Sequence, residues 1–349
     1  MKVEDILKKL VSFNTIKDEE NSKIIDYIRK YLEKKNFICK TYGDEKKILI
    51  AKTKKEPKFC FFGHTDTVDR KNKDIDPFKL IEKDNNLYGL GVCDMKGGIA
   101  AILKVVADID FDKLKYGIML VFTYSEEKDF SGIKYFLKQK IDYPEYILVG
   151  EPTDNIPMNA SKGAIEYHFN FYGKQVHSSR ITDSSNINCV NFLYELLQLN
   201  KYFKKSECED CEINHSTMNY GIIKGGNAVN MVSDYTFSTC DFRIIKEEEY
   251  KYVKKKVERI SKKYNMDYKI GMDFLPFSND SKIVDYYEKI TNKKKQIFYA
   301  LSEASMLKGN RIILGPGPVT AHQVDEHISK DSLNECVDIY KKIIEYICK

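Results

Sequence analysis

Up to about residue 160 the chain alternates short apolar runs with helical stretches, and most of the runs stop beside a histidine or a carboxylate. The runs are Ile48 to Ala51, Phe59 to Phe62, Ile118 to Tyr124 and Tyr146 to Val149. Between them, Ile99 to Ala107 and Ile133 to Lys140 carry helical spacing. Upstream, Ile6, Leu7, Leu10 and Val11, then Ile24, Ile25, Ile28, Tyr31 and Leu32, recur at three and four, so the first 40 residues read as helical. Unbroken apolar strands alternating with helices predict a three-layer α/β/α domain with a mostly parallel sheet. In such sheets, sites form beyond the C-terminal ends of the strands.

Near residue 160 the pattern changes. Ile165 to Tyr172 alternates and ends at Gly173, and a helix is expected from Asn188 to Leu199. Met218 to Ile223 reads as a strand running into Gly225-Gly226, Tyr235 to Ile244 as another, and Glu247 to Tyr264 as a helix. This β-α-β-β-α order predicts an inserted α+β sandwich. Strand and helix signals resume at Leu275-Pro276. The expected division is therefore a split domain, 1–160 with 274–349, carrying an insertion at 161–273.

A length of 349 residues suits such a two-domain plan. With 57 basic and 52 acidic residues, the net charge of +5 is too weak to argue for nucleic acid. Lys251 and Lys254 to Lys256 alternate with apolar positions and read as a solvated helix face. No apolar run approaches the ~18 residues of a membrane span. The start, MKVEDILKKL, is charged and amphipathic, unlike a signal peptide. Nine cysteines, an odd number without a framework, fit a reducing cytoplasm. Cys208 and Cys211 have CxxC spacing, but without a second pair they read as two thiols in a polar loop or helix end.

Five islands carry the chemistry. Phe59 to Phe62 ends at Gly63, and His64 and Asp66 then share one side if the backbone stays extended. That is the geometry of a ligand histidine oriented by a carboxylate, although a lone histidine is more often structural. Asp94 follows the glycine-rich turn Gly89-Leu90-Gly91 and precedes a helix, which it could merely cap. Glu126-Glu127 closes an apolar strand; one could ligate a cation and the other act as a base, or both could sit in a solvated loop with Lys128 and Asp129. Glu151 lies between Gly150 and Pro152 at another strand end, and His322 follows Gly315-Pro316-Gly317-Pro318. Together they supply histidine and carboxylate ligands for two metal ions.

With HTDTV at 64–68, LYGLGVCDMKGG at 87–98, GEPT at 150–153, Gly173-Lys-Gln-Val-His177-Ser-Ser, Gly225-Gly-Asn-Ala-Val-Asn230, Asp241-Phe-Arg243 and AHQVDE at 321–326, the chain resembles the dinuclear zinc amidohydrolases and exopeptidases over nearly its whole length. The resemblance implies that Asp94 bridges two Zn2+ ions, with Co2+ or Mn2+ as possible substitutes. His64 and Glu151 would complete one site, and Glu127 and His322 the other. Asp66 would orient His64, Glu126 would be the general base, and His177 would reach from the inserted dimerisation or lid domain into the partner subunit's site to stabilise the oxyanion. The enzyme would be a homodimer acting on a small N-acyl amino acid, with no nucleic-acid or membrane partner.

Within that family, Glu151 rather than Asp resembles the deacetylase and carboxypeptidase branch. Arg243 would bind the substrate carboxylate, unless it pairs with Asp241, and Asn230 would bind its carbonyl or carboxylate. Ser302-Glu303-Ala304 resembles the Thr-Glu-Ala of acetylornithine deacetylases, so that Glu303 would meet the ammonium of an ornithine-like side chain. The implied reaction is N2-acetyl-L-ornithine to L-ornithine and acetate, a step of arginine biosynthesis. Acetyl-lysine deacetylase, succinyl-diaminopimelate desuccinylase and dipeptidase or carboxypeptidase are the alternatives, as is a metal-binding protein with a dead site. Ser302, Ser233 and Asp69 depart from the residues usual at these places.

Overall fold

A computed structural model describes residues 1–69, 76–181, 189–203, 215–264, 266–279, 281–298 and 300–349. Cys208, Cys211 and the expected helix start at Asn188 lie outside the described residues. The chain divides into two compact units: residues 1–159, 279–298 and 302–349, and residues 160–278 with 299–301.

The first unit begins with α1 (Val3–Val11) and α2 (Asn21–Glu33), followed by β1 (Ile38–Tyr42), β2 (Ile48–Lys52) and β3 (Pro57–His64). The first 40 residues are thus not all helical. The three-and-four spacing stops at Leu32, and the helix ends at Glu33, before the β-branched and aromatic residues of β1. Next come α3 (Gly97–Asp108), β4 (Gly117–Thr123), α4 (Ser131–Lys138) and β5 (Tyr146–Val149).

The second unit contains β6 (Gly163–Tyr172), α5 (Cys189–Leu197), β7 (Thr217–Asn219), β8 (Ile223–Gly225), β9 (Tyr235–Ile244), α6 (Glu247–Tyr264) and β10 (Asp267–Phe274). β6 pairs antiparallel with β9 along all its length. Tyr167, Phe169 and Phe171 of β6 and Phe242 of β9 are buried with Phe192 and Leu196 of α5 and Val253, Val257 and Ile260 of α6. Two differences from the sequence reading stand out. The strand expected over Met218 to Ile223 is two short strands, both paired to β9, separated at Tyr220 to Ile222. β10, which alternates poorly and is mostly exposed, was unmarked in the sequence and pairs with β6. On α6, Lys251 pairs with Glu247 at 2.7 Å and Lys254 with Asp273 at 2.6 Å, as expected of a solvated face.

The chain then returns to the first unit with α7 (Lys282–Thr291), β11 (Asn310–Ile313) and α8 (Lys330–Cys348). The sheet runs β1-β2-β4-β3-β5-β11, and β4, β3, β5 and β11 are mutually parallel. Consecutive residues of β3 reach opposite layers: the Phe61 ring lies 6.0 Å from that of Tyr340 on α8, and the Phe62 ring 5.3 Å from that of Phe136 on α4. Burial on both faces explains why these strands are continuous apolar runs. Among the described residues no helix is long and apolar enough to cross a membrane.

Candidate metal centre

Three neighbouring parallel strands end side by side: His64 of β3 pairs in register with Thr123 of β4, and Phe62 with Val149 of β5. The first residues beyond them are therefore brought together. His64 is the last residue of β3, Glu126 and Glu127 follow β4, and Glu151 follows β5. The turn carrying Asp94 approaches from the start of α3. Gly98 permits this, since a Cβ there would stand 2.2 Å from the carbonyl oxygen of Gly150. Gly91 has φ +75°, a left-handed conformation that suits glycine.

In the centre, His64 Nε2 lies 3.1 Å from Asp94 Oδ1, 3.7 Å from Glu151 Oε2 and 4.0 Å from Glu126 Oε2. His322 Nε2 lies 2.9 Å from the Glu127 carboxylate and 3.6 Å from Asp94 Oδ2. The two oxygens of Asp94 thus face different histidines. Ligand atoms of His64, Asp94 and Glu127 lie within 4.8 Å of one another. His64 is fully buried, Glu126 and Glu151 are buried, and His322 is half exposed.

Asp66 does something the sequence did not indicate. His64 Nδ1 is 3.1 Å from the Asp66 backbone carbonyl and 3.5 Å from its carboxylate. The carboxylate accepts the backbone N–H groups of Glu126 at 3.2 Å and Glu127 at 3.1 Å. It therefore holds the Glu126-Glu127 turn as well as flanking His64.

Four carboxylates against two histidines make a buried centre with excess negative charge. Burial raises Glu126 well above the usual carboxylate range, and the charge of Glu151 adds to the shift. Burial pushes Glu151 up to about 8, and raises Glu127 with help from Asp94. Burial alone would lower His64, but Asp66, Asp94 and Glu151 raise it well above its ordinary value. Glu151 Oε1 is buried without a hydrogen-bond partner among the described residues. An unpaired buried oxygen, imidazole nitrogens and repelling carboxylates are what divalent cations would satisfy. The residues fit a pair of such ions, with Asp94 able to contribute to both.

Two supports went unread in the sequence. Glu326, at the end of AHQVDE, accepts from the backbone N–H of Gly91 at 2.8 Å, Cys93 at 3.0 Å and Asp94 at 3.1 Å. Its place in that motif was the one signal available. Asp18 lies in no motif; its carboxylate accepts from Ser125 N at 3.0 Å and Lys46 Nζ at 2.7 Å, fixing the turn before Glu126. Glu326→Ala would leave three backbone donors, two of them buried, without this acceptor. Its expected effect is a loss of about 10- to 100-fold in metal affinity, measured by chelator competition; unchanged affinity would mean that the Asp94 turn holds without the clamp.

Of the remaining expected residues, Glu303 is fully buried in the first unit. Its Oε1 accepts from Thr123 Oγ1 at 2.5 Å, and its Oε2 has no partner among the described residues. Burial pushes it up to about 7. In the second unit, exposed His177 and Asn230 come together, with Nε2 and Nδ2 3.3 Å apart, and His177 Nδ1 lies 2.8 Å from Ser179 Oγ. Arg243 Nε donates to Asp241 Oδ2 at 2.9 Å, the pairing left open by the sequence.

The profile of peptidase family M20/M25/M40 matches residues 60–346. The chain belongs to this family. Its members similar in sequence include the acetylornithine deacetylase of Buchnera aphidicola subsp. Acyrthosiphon pisum (strain Tuc7), 31% identical over 97% of this chain and 94% of that one. The acetylornithine deacetylase of Photorhabdus laumondii subsp. laumondii is 29% identical over 95% and 92%. Among solved structures, aminopeptidase PepT from Bacillus cereus has a TM-score of 0.80 at 16% identity, covering 99% of this chain and 98% of that one. The YXEP protein of Bacillus subtilis, described as a dinuclear metal-binding peptidase of family M20, has a TM-score of 0.72 at 12% identity, covering 99% and 97%. The M20 chain is accordingly a hydrolase, with the mixed α/β fold of its family.

Proposed function

We propose that the protein hydrolyses N2-acetyl-L-ornithine to L-ornithine and acetate, with two divalent ions, zinc first among them, held by His64, Asp94, Glu127, Glu151 and His322. What supports the substrate is the sequence likeness to two proteins named acetylornithine deacetylase across almost their full lengths. The observation in the site that carries it is Glu303: one oxygen is held by Thr123 and the other is buried without a hydrogen-bond partner among the described residues, a condition that a cationic group would relieve. The ornithine ammonium is such a cation.

When bound, the ions supply Lewis acidity toward the amide carbonyl and make water more acidic. Glu126 takes a proton from the attacking water and passes it to the leaving nitrogen. Its raised proton affinity, set by burial and by Glu151, suits both halves of that transfer. Asp66 keeps Glu126 and Glu127 in place through their N–H groups. His177, with Asn230 beside it, would donate to the oxygen that gains charge. Arg243 keeps its outer nitrogens for a substrate carboxylate while Nε is tied to Asp241. On this reading the second unit is the dimerisation or lid domain of a cytoplasmic homodimer, and the reaction serves arginine biosynthesis.

The test is a panel of N2-acetyl-L-ornithine, N-acetyl-L-lysine, N-succinyl-diaminopimelate and a dipeptide at equal concentration, with zinc or cobalt added separately. The expected result is the highest kcat/KM for acetylornithine. Preference for the lysine, succinyl or peptide substrate would replace the substrate assignment, and turnover of none would sink the hydrolase reading of this site.

A further inference from the structure

Residues 12–20 connect α1 to α2 and precede the stretch matched by the family profile, which begins at residue 60. This loop is closed on itself. Glu20 N donates to the Asn14 carbonyl at 2.8 Å, and Asn14 N donates back to Glu20 Oε2 at 2.8 Å. Lys17 and Asp18 both take left-handed backbone conformations, with φ 51° and 64°. Two such non-glycine residues in a row persist only where their surroundings hold them. Compact loops with tied ends are frequently functional.

The loop is bonded to three turns that carry proposed ligands. Behind His64, Thr67 N donates to the Thr15 carbonyl at 3.2 Å, and Ile16 and Thr67 form a bridge. Behind Asp94, Lys96 Nζ donates to the Phe13 carbonyl at 3.2 Å. Just before Glu126 and Glu127, Ser125 N donates to Asp18 Oδ1 at 3.0 Å. Thr15, Asp18, Thr67, Lys96 and Ser125 are all buried, so these bonds act in an interior of low dielectric, where each is stronger than in water. The ligands tied in this way, His64, Asp94 and Glu127, are the three whose ligand atoms lie within 4.8 Å of one another. Pairing of β3 with β4 relates the ends that carry His64 and Glu127. The Asp94 turn belongs to no strand, so the sheet does not set its distance from them, whereas the loop is bonded to all three.

We propose that this loop is a positioning element of the metal centre, with Lys96 and Asp18 as the residues through which it sets the spacing of the three ligands. The proposal rests on the metal ions assigned to those ligands above and not on the choice of substrate. Lys96 is the sharper case, being 1% exposed and two residues from Asp94. On charge alone, removing an ammonium from beside a cation site tightens metal binding. Losing the bond to the loop weakens it. The two effects of Lys96→Met therefore differ in sign.

The experiment uses the full-length wild type, Lys96→Met, Asp18→Ala, the double variant and Ile28→Ala. Ile28 is fully buried on α2 and takes no part in these bonds, so its variant controls for lost stability. Zinc affinity is measured by chelator competition, and the site geometry is followed by the visible spectrum of the cobalt-loaded form. Lys96→Met and Asp18→Ala are each expected to lower zinc affinity about 10-fold and to change the cobalt spectrum. The double variant should lose clearly less than the roughly 100-fold product, because both residues act through one loop. Ile28→Ala should lower Tm and leave both metal readouts unchanged. Tighter binding in Lys96→Met, unchanged affinity in both single variants, losses that multiply in the double variant, or an equal loss in Ile28→Ala would overturn the proposal. Should Asp18→Ala not fold, the sign of the Lys96→Met effect still decides. A wild type that binds neither zinc nor cobalt would remove the metal reading first and take this inference with it.

Discussion

Glu126→Gln is expected to lower kcat on acetylornithine by about 10^2- to 10^4-fold while leaving metal content at the wild-type level. The geometry is compatible with a role for this residue apart from the proposed ligands beside it. The Glu126 Oε2 atom stands 4.0 Å from His64 Nε2, farther than the oxygens of Asp94 at 3.1 Å and Glu151 at 3.7 Å. Its backbone N–H is anchored on Asp66, and the glutamine variant keeps that anchor and nearly the same volume. What it loses is the ability to accept and release a proton. The substitution should not destabilise the fold, because burial and the neighbouring Glu151, Glu127 and Asp94 disfavour the ionised carboxylate of Glu126. Removing that charge relieves repulsion, so the metal-free variant should melt at or above the wild-type temperature. Glu127→Gln gives the contrasting control, since Glu127 sits 2.9 Å from His322 and its loss should lower metal content. A Glu126→Gln enzyme keeping more than about a tenth of its kcat would refute the base assignment.

The strands of the first unit were legible because both faces are covered. Phe61 and Phe62 meet different helical layers, and residues with that demand form an unbroken apolar run that ends abruptly at the site. The proposed ligands near the strand ends were legible for a related reason, since His64 ends β3, Glu151 lies two residues past β5 and Glu127 four past β4, whereas His322 lies nine residues beyond β11. The supporting contacts were harder to read. Glu326 reaches backward over more than two hundred residues to the Gly91 turn, and Asp18 reaches forward to Ser125; neither partner is marked by spacing. Asp66 beside His64 pointed to one role, while its carboxylate also serves two backbone donors on another strand end. In the second unit, Met218 to Ile223 had enough alternation for one strand but breaks into two. β10 is mostly exposed, so its residues lacked the apolar pattern that marks a strand. Arg243 illustrates a further limit: the sequence supplied both a substrate partner and Asp241, and the 2.9 Å contact is with Asp241.

Stripping the metals should make stability fall as pH rises from 5 to 7, and the gap in Tm between loaded and stripped protein should widen over that range. The sign follows from Glu151. Burial raises its carboxyl from 4.5 to about 8 in the folded chain. Between those values the folded state holds a proton that the unfolded chain has released, so stability is fully present below about 4.5 and is lost as pH climbs toward about 8. A group in this condition costs about 1.4 kcal/mol per pH unit, or roughly 3 kcal/mol from pH 5 to 7. His64, also raised, acts in the same direction once pH passes its ordinary 6.5. Glu303 and Glu326, each pushed up to about 7 by burial, weaken both forms as pH rises, which is why the gap is the informative quantity. Lys96, pulled down to about 7 by burial, works the other way only above pH 7, outside the window. Bound cations reverse the balance at the ligands, because they favour deprotonated carboxylates and neutral imidazoles and bind more tightly as protons leave. Scanning calorimetry of zinc-loaded and chelator-stripped protein at pH 5, 6 and 7 should show the gap growing by on the order of 5–10 °C. Two melting curves that shift in parallel would mean that Glu151 and its neighbours are not relieved by metal, and the ligand set would have to be sought elsewhere.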